Sequence, residues 1–381
     1  MNNFHSKLPN IKPSIFSVIS KLAVAHNAVN LSQGFPDFET SAELKKLVYN
    51  AMLNGKNQYA PMPGIFSLRE QIAEKINMLY GANYHPEHEI TITAGATQAI
   101  FTALAATIEK GDEVIIFKPA YDSYEPTVKL FGGIPKIVQL NPEQFTINWN
   151  EVAELISDKT KMIIINTPHN PTGQLLQKSD MQKLEALLKN TNILLLSDEV
   201  YEHLIFDGEK HQSAALFPGL AERAFITASF GKTFHNTGWK MGYCAAPKML
   251  MKEFQKVHQF NVFSVHHPTQ VALATYLKNP ENYLSLSEFF QQKRDLFLPL
   301  IKDSRFTFAP AKGTYFQMLN FKAISKESDN DFALKLIKEH GLAAIPISAF
   351  NKPNYDTKVL RFCFAKTDET LKKAASILCS I

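Results

Sequence analysis

Apolar residues recur along this chain in two rhythms. In its middle lie short, nearly continuous apolar runs: ITIT at 90–93, EVIIF at 113–117, MIIIN at 162–166, ILLLSD at 193–198, AFITAS at 224–229 and MGYCAA at 241–246. Runs so short and so apolar predict strands buried on both faces, the habit of a parallel sheet. Between them, apolar positions fall at helical spacing. Leu44, Leu47, Val48, Ala51 and Met52 predict a helix capped by Ser41 and stopped at Gly55. Ile65, Leu68, Ile72, Ile76 and Leu79 predict another, opened by the Pro63-Gly64 turn and ended at Gly81. Residues 97–108 predict a largely apolar helix, and Ser179 with Gln182 reads as the capping box of a further one.

The last third changes character. A long helical pattern at 284–300 is followed by strand patterns at 314–319 and 358–364, with helical patterns at 331–340 and 368–378. Strands interleaved with helices there predict an α+β appendage to an α/β body. The expected organisation is an arm at 1–40 joining the small domain, a large α/β domain at 41–284 and a small domain at 285–381.

Composition excludes several classes. With 45% hydrophobic and 20% charged residues the chain is globular. A formal charge of +4 over 381 residues is too weak to argue for nucleic acid or an anionic membrane as partner. The first twenty residues hold no apolar core of signal-peptide length, and no stretch approaches the ~18 apolar residues of a membrane span, so a soluble cytoplasmic protein is expected. Cys244, Cys363 and Cys379 sit among apolar residues without a C-x-x-C pair and read as core thiols. Metal-ligand spacing such as H-E-x-x-H is missing, so no metal is expected.

In an open α/β sheet, ligands bind beyond the carboxyl ends of the strands. Those ends carry AGAT at 94–97, KPAYD at 118–122, NTPHNP at 166–171, DEVY at 198–201 and SFGKT at 229–233. Together they collect two Asn, an Asp, a Tyr, a Lys and a helix N-terminus, a set able to bind an anion, a ring nitrogen, a phenolic oxygen and an aldehyde. A nucleotide loop fails, because Ile226 stands where a Walker motif needs glycine before Gly231-Lys232, and no G-x-G-x-x-G follows a strand. Only five of the 40 basic residues are Arg. Arg361, within the apolar VLRFCFA, reads either as a structural ion pair or as a bidentate grip on a carboxylate ligand. Arg69, Arg223, Arg294 and Arg305 lie in polar surroundings and are expected to be solvated or helix-surface charges.

Taken in order, Asn166…Asn170-Pro171-Thr172-Gly173, Asp198-Glu199-Val200-Tyr201, Ser229-x-Gly231-Lys232-Thr233…Gly238-Trp239-Lys240-x-Gly242 and Arg361-Phe362 carry a resemblance. The chain resembles the fold type I pyridoxal-phosphate aminotransferases of classes I and II, from NLSQGFPD at 30–37 to its C-terminus. Within the kynurenine/glutamine group it is most similar to bacterial methionine aminotransferases, through NQYAPMPG at 57–64, TAGATQ at 93–98, YDSY at 121–124 and SFGKTFHNTGWKMGY at 229–243. It departs from the mammalian kynurenine enzymes at Phe16, where they carry Trp, in its phosphate turn, and in a longer stretch at 257–267.

The resemblance implies a large domain with a mostly parallel seven-stranded sheet between helices, plus a small α+β domain. It implies pyridoxal 5′-phosphate as cofactor and a homodimer with shared active sites. Lys232 would link to the cofactor aldehyde and then carry the proton, while Asp198 would face the ring nitrogen. Tyr201 and Asn170 would face the phenolic oxygen, with Asn166 close by and Tyr121 stacked on the ring. Ser229, Lys240 and the N–H groups of Ala96 and Thr97 would hold the phosphate, with Tyr59 reaching it from the partner subunit. Arg361, Asn170 and the Gly34 backbone would grip the substrate carboxylate, and Phe16 and Tyr124, with Phe263 and Ser264 from the partner subunit, would line an apolar side-chain pocket. No other Arg stands where a dicarboxylate substrate would need one. The implied reaction is ping-pong transfer of the amino group of a neutral amino acid (methionine-like, aromatic or glutamine) to a 2-oxo acid. The alternative is β-lyase cleavage of cysteine S-conjugates at the same site. A regulator of the same fold is disfavoured, since the family motif begins by Asn30 with no room before it for a helix-turn-helix.

Overall fold

The apolar runs assemble side by side in a computed structural model of the chain, which describes residues 5–9, 11 and 13–381. Twelve strands follow in order: β1 (Val29–Asn30), β2 (Ile90–Thr93), β3 (Glu113–Lys118), β4 (Ile134–Gln139), β5 (Thr160–Asn166), β6 (Leu194–Asp198), β7 (Ala224–Ser229), β8 (Gly242–Ala245), β9 (Phe316–Asn320), β10 (Leu342–Ala343), β11 (Ile345–Pro346) and β12 (Val359–Cys363). Seven of them form the main sheet, in the order β2-β8-β7-β6-β5-β3-β4. β8 runs antiparallel to β2 and β7, and the remaining pairs are parallel.

Why the runs are continuous rather than alternating follows from their neighbours. Val114, Ile116, Met162 and Ile164 pack on the side of helices Ala96–Thr107 and Lys248–Asn261. Ile115, Phe117, Ile163 and Ile165 point the other way, into the core that also holds Leu68 and Ile72 of Phe66–Tyr80 and Met181 and Leu184 of Lys178–Leu188. With successive side chains on opposite faces and both faces covered, every position must be apolar.

The hydrophobic pattern located six of the seven strands. β4, IPKIVQ, escaped it because it lies at the sheet edge, mostly half-buried, where Pro135 and Lys136 are tolerated. The capping expectation at Ser179 is also corrected. The helix starts at Lys178, Gln177 holds the cap position, and its N–H donates to Asp180 Oδ2 at 2.9 Å.

In the C-terminal third, β11, β12 and β9 form an antiparallel sheet with β12 in the middle. β1 pairs in parallel with β10, which stitches the first residues to the last third. The segment after β1 continues this contact, with Cys363 N–H donating to Leu31 O at 2.7 Å.

Two arginines contradict the surface expectation. Arg69 and Arg294 are each 3% exposed. Arg69 donates to Gly64 O at 3.1 Å, and Arg294 forks onto Asp207 with two bonds of 2.6 Å. Arg223 is half-buried and donates to Leu188 O and Thr191 O. Arg69 also reaches Pro86 O, so each guanidinium finds at least one partner well removed in sequence, which local polarity could not reveal. Cys379 is exposed rather than a core thiol, whereas Cys244 and Cys363 are buried. Among the described residues, no helix is long and apolar enough to cross a membrane.

Behind the end of β6 lies a buried ionic cluster. Lys75 Nζ pairs with Glu202 Oε1, Tyr80 donates to Glu202 Oε2 at 2.7 Å, and Tyr243 donates to Oε1 at 3.3 Å. Burial by itself would raise the Glu202 pKa, but Lys75, His203 and Tyr80 outweigh it and bring it to about 2. A carboxylate depressed in this way contributes stability that is full above its ordinary pKa near 4.5 and is lost as pH falls towards 2. Lys75→Met leaves Glu202 charged and unpaired, and is expected to cost about 3–5 kcal/mol in urea unfolding at pH 7. Lys75→Met with Glu202→Leu is expected to cost less than Lys75→Met alone.

Candidate active site

The carboxyl ends of β5, β6 and β7 meet the N-terminus of helix Ala96–Thr107 around a cleft of about 170 Å³. Ten residues expected at a cofactor line it: Ala96, Thr97, Tyr121, Asn166, Asn170, Asp198, Tyr201, Ser229, Lys232 and Lys240. Tyr59 lies elsewhere, 82% exposed and edge-on to Phe263 at 5.5 Å.

One end of the cleft is built for an anion. Gly95 opens the helix at φ 77° and ψ 167°, a region that essentially only glycine occupies. This turn aims the free N–H groups of the first helical turn into the cleft. Lys240 stands beside it, since a Cβ built on Gly95 would lie 3.5 Å from Lys240 Nζ. Gly242 is required for a different reason. A Cβ there would come within 2.6 Å of Ala228 O and 2.9 Å of Ala96 N, backbone atoms that cannot step aside. Thr97 Oγ1 and Tyr121 Oη share a hydrogen bond of 3.1 Å, which fixes the Tyr121 ring at the wall.

Asp198 ends β6 and is 3% exposed. Asn166 Nδ2 donates to its backbone carbonyl at 2.8 Å, while Asn166 Oδ1 accepts from Asn170 N–H at 2.7 Å. Asn166 thus ties the ends of β5 and β6 together. Burial pushes the Asp198 carboxyl up to about 6, although hydrogen bonds from Tyr124 and the Val200 N–H pull it back. Tyr124 was expected to line the substrate pocket. It is instead buried, with its hydroxyl donating to Asp198 Oδ2.

Lys232 Nζ donates to Gly34 O at 2.7 Å, near the rings of Tyr201 and Tyr315. Burial lowers its pKa to about 8, with the charges of Arg361 and Lys240 acting in the same direction. Gly34, expected at the substrate carboxylate, offers its carbonyl to Lys232 and to the Tyr315 hydroxyl at 2.6 Å. Sequence reasoning missed Tyr315. Its signal was Gly313-Thr314-Tyr315-Phe316, which was read only as the start of a strand.

Arg361 occupies the middle strand β12 and is 1% exposed. It donates to Asn170 Oδ1 at 2.8 Å and to Ser32 O at 3.0 Å. Phe316 stacks on the guanidinium at 3.9 Å, with Phe16 and Phe350 each at 5.2 Å. Among the described residues no carboxylate forms a salt bridge with Arg361, and its Nε has no partner. The ion-pair reading of this residue therefore finds no partner among the described residues, and its charge is met only by neutral groups.

These features fit pyridoxal phosphate. A helix N-terminus beside Lys240 suits a phosphate dianion, a buried carboxylate without an ion-pair partner suits a protonated ring nitrogen, and a lysine with a lowered pKa suits an aldehyde.

Comparison with known proteins agrees. The profile of aminotransferase class I and II matches residues 26–378. The chain is 46% identical over 374 residues to a methionine aminotransferase of Escherichia coli (strain K12), covering 98% of this chain and 97% of that one. It is 34% identical over 402 residues to a kynurenine–oxoglutarate transaminase of Dictyostelium discoideum, covering 95% and 92%. Among solved structures, YbdL from Escherichia coli, identified with a methionine aminotransferase function, superposes with a TM-score of 0.97 at 45% identity over 99% of both chains.

Because only the neutral amine attacks an aldehyde, uptake of pyridoxal 5′-phosphate by the cofactor-free protein should quicken roughly tenfold per pH unit below about 8 and level off above it. Stopped-flow absorbance measures this. A rate that is flat from pH 6 to 9 would contradict the lowered pKa.

Proposed function

The chain belongs to the class I and II aminotransferases, and we propose that it moves the amino group of a neutral, methionine-like amino acid to a 2-oxo acid with ping-pong kinetics. One observation carries the neutral-substrate reading: among the described residues, Arg361 is the only arginine whose side chain bonds to a side chain lining the cleft, that of Asn170. Arg69, Arg294, Arg223 and Arg305 are held by other partners, Arg305 by Ile381 O and Ala323 O. A second substrate carboxylate therefore meets no further guanidinium of the same chain, and the phenylalanines around Arg361 favour an apolar side chain. The likeness to a methionine aminotransferase of Escherichia coli supports the same choice.

When bound, pyridoxal phosphate supplies an electron sink that makes the substrate Cα–H acidic. The chain's own residues do the rest. Ser229, Lys240 and the N–H groups of Ala96 and Thr97 would hold the phosphate, Asp198 would keep the ring nitrogen protonated, Tyr201 and Asn170 would meet the phenolic oxygen, and Tyr121 would stack against the ring. Asn170 is preset for this, because its Oδ1 accepts from Arg361 and its Nδ2 remains free to donate. Arg361 orients the substrate carboxylate, and Lys232, whose lowered pKa of about 8 leaves a large neutral fraction near that pH, takes the proton from Cα.

We also take the protein to be a cytoplasmic homodimer in which Tyr59 reaches the phosphate of the partner subunit's site. Its exposure in the single chain supports that role. The arm at 1–40 is read as part of the small domain at 285–381, supported by the β1–β10 pairing, with the large domain at 41–284.

The test is steady-state kinetics on a panel of amino donors and 2-oxo acids, with parallel double-reciprocal lines expected and Met or aromatic donors leading. Lys232→Ala should abolish turnover, and Arg361→Ala should lower kcat/KM by roughly 100-fold or more through loss of the carboxylate grip. If Asp or Glu proved the best donor, the neutral-substrate reading would fail. Acceptor-independent pyruvate release from a cysteine S-conjugate, outrunning transamination, would favour the β-lyase alternative.

A further inference from the structure

One contact in the cleft has no place in the mechanism above. Tyr124 opens the helix Tyr124–Leu130 after β3, two strands away from β6 in the sheet order, yet its hydroxyl reaches Asp198 Oδ2. The ring is 3% exposed and lies edge-on to Tyr121 at 5.7 Å, so it has no freedom to swing away. Oδ1 of the same carboxylate receives only a long bond of 3.4 Å from Val200 N–H. Tyr124 is therefore the side chain that donates to the buried acid, and no basic side chain forms a salt bridge with it among the described residues.

We propose that Tyr124 is a positioning residue for Asp198: its hydroxyl keeps the carboxylate charged inside the apolar sheet and turned so that the free edge of Asp198 meets the ring nitrogen of the cofactor. A hydrogen bond to an ionised carboxylate stabilises the charged form over the neutral one. In this site it offsets burial, which by itself drives the acid towards its neutral form, and the carboxyl comes to rest at about 6. The other ionisable groups facing Asp198 are Lys232, Glu199, Tyr121 and Tyr201. Of these only Lys232 favours the charged form, and burial holds its own pKa down to about 8. The inference rests on the pyridoxal-phosphate reading of the cleft.

The probe is pyridoxamine 5′-phosphate, which lacks the aldehyde and so cannot link to Lys232. Its affinity for the cofactor-free protein is measured by calorimetry at pH 6.5 and 8.5, in wild type and in Tyr124→Phe. The variant should bind about tenfold more weakly at pH 6.5, where Asp198 without its donor holds a proton. The ratio should shrink to about two at pH 8.5, where the carboxylate is ionised in both proteins. In an Asp198→Asn background, Tyr124→Phe should change affinity by less than about twofold. A purely structural role would give the same ratio at both pH values; that result, or no weakening at all, overturns the proposal. Failure of the wild type to bind the probe would instead sink the cofactor reading. If Tyr124→Phe does not fold, 3-fluorotyrosine placed at position 124 keeps the shape and donates more strongly. The Asp198 carboxyl should then titrate lower by carbon NMR, and an unmoved titration overturns the proposal equally.

Discussion

Asp198 and Arg361 are buried beside one cleft and Lys232 is half-buried in it, and among the described residues none of the three is neutralised by a salt bridge. A buried charge left unpaired costs several kcal/mol unless dipoles replace the water it lost. The fold supplies those dipoles one by one. Asp198 takes a hydroxyl and a backbone N–H, Lys232 takes the Gly34 carbonyl, and Arg361 takes the Asn170 amide, the Ser32 carbonyl and the face of Phe316. Neutral partners hold each charge without cancelling it, so each keeps its attraction for a ligand of opposite sign or, for Lys232, its readiness to lose a proton.

The contrast with the next layer is instructive. Along Asp198-Glu199-Val200-Tyr201-Glu202, Asp198 and Tyr201 face the cleft, while Glu199 and Glu202 face away. Glu202 is paired with Lys75, and Glu199 meets His211 at 2.8 Å and accepts from Ser197 and the Ala214 N–H. The carboxylates behind the segment are fully satisfied and fix the backbone, whereas the one in front is left to react. Asp198 and Glu199 part at the end of β6, where successive side chains point to opposite sides, and the turn that follows, closed by Glu202 N–H donating to Glu199 O at 3.0 Å, puts Tyr201 on the cleft side and Glu202 behind it.

Much of this was legible in the chain. The buried strands announced themselves as apolar runs because both of their faces are covered, and the chemistry-bearing residues followed those runs directly. What escaped was whatever depended on a partner distant in sequence. β4 is an edge strand, so one-sided exposure diluted its pattern. Arg69 and Arg294 sit among polar letters, yet their heads are buried against the Pro86 carbonyl and Asp207. Tyr124, in the same YDSY motif as Tyr121, donates its hydroxyl to Asp198, and Tyr315 lies just before a strand, with its hydroxyl on Gly34 O.

The sequence by itself therefore determined the fold class and the family, and it singled out Lys232, Asp198 and Arg361 as the residues on which the proposed chemistry rests. Periodicity and residue type are local properties, and motif order is preserved along the chain. Only the tertiary structure decided which neutral groups surround each buried charge, because Gly34 reaches Lys232, Ser32 reaches Arg361 and Tyr124 reaches Asp198 across 198, 329 and 74 positions. Those contacts set how strongly each charge is held, and a chain read letter by letter does not display them.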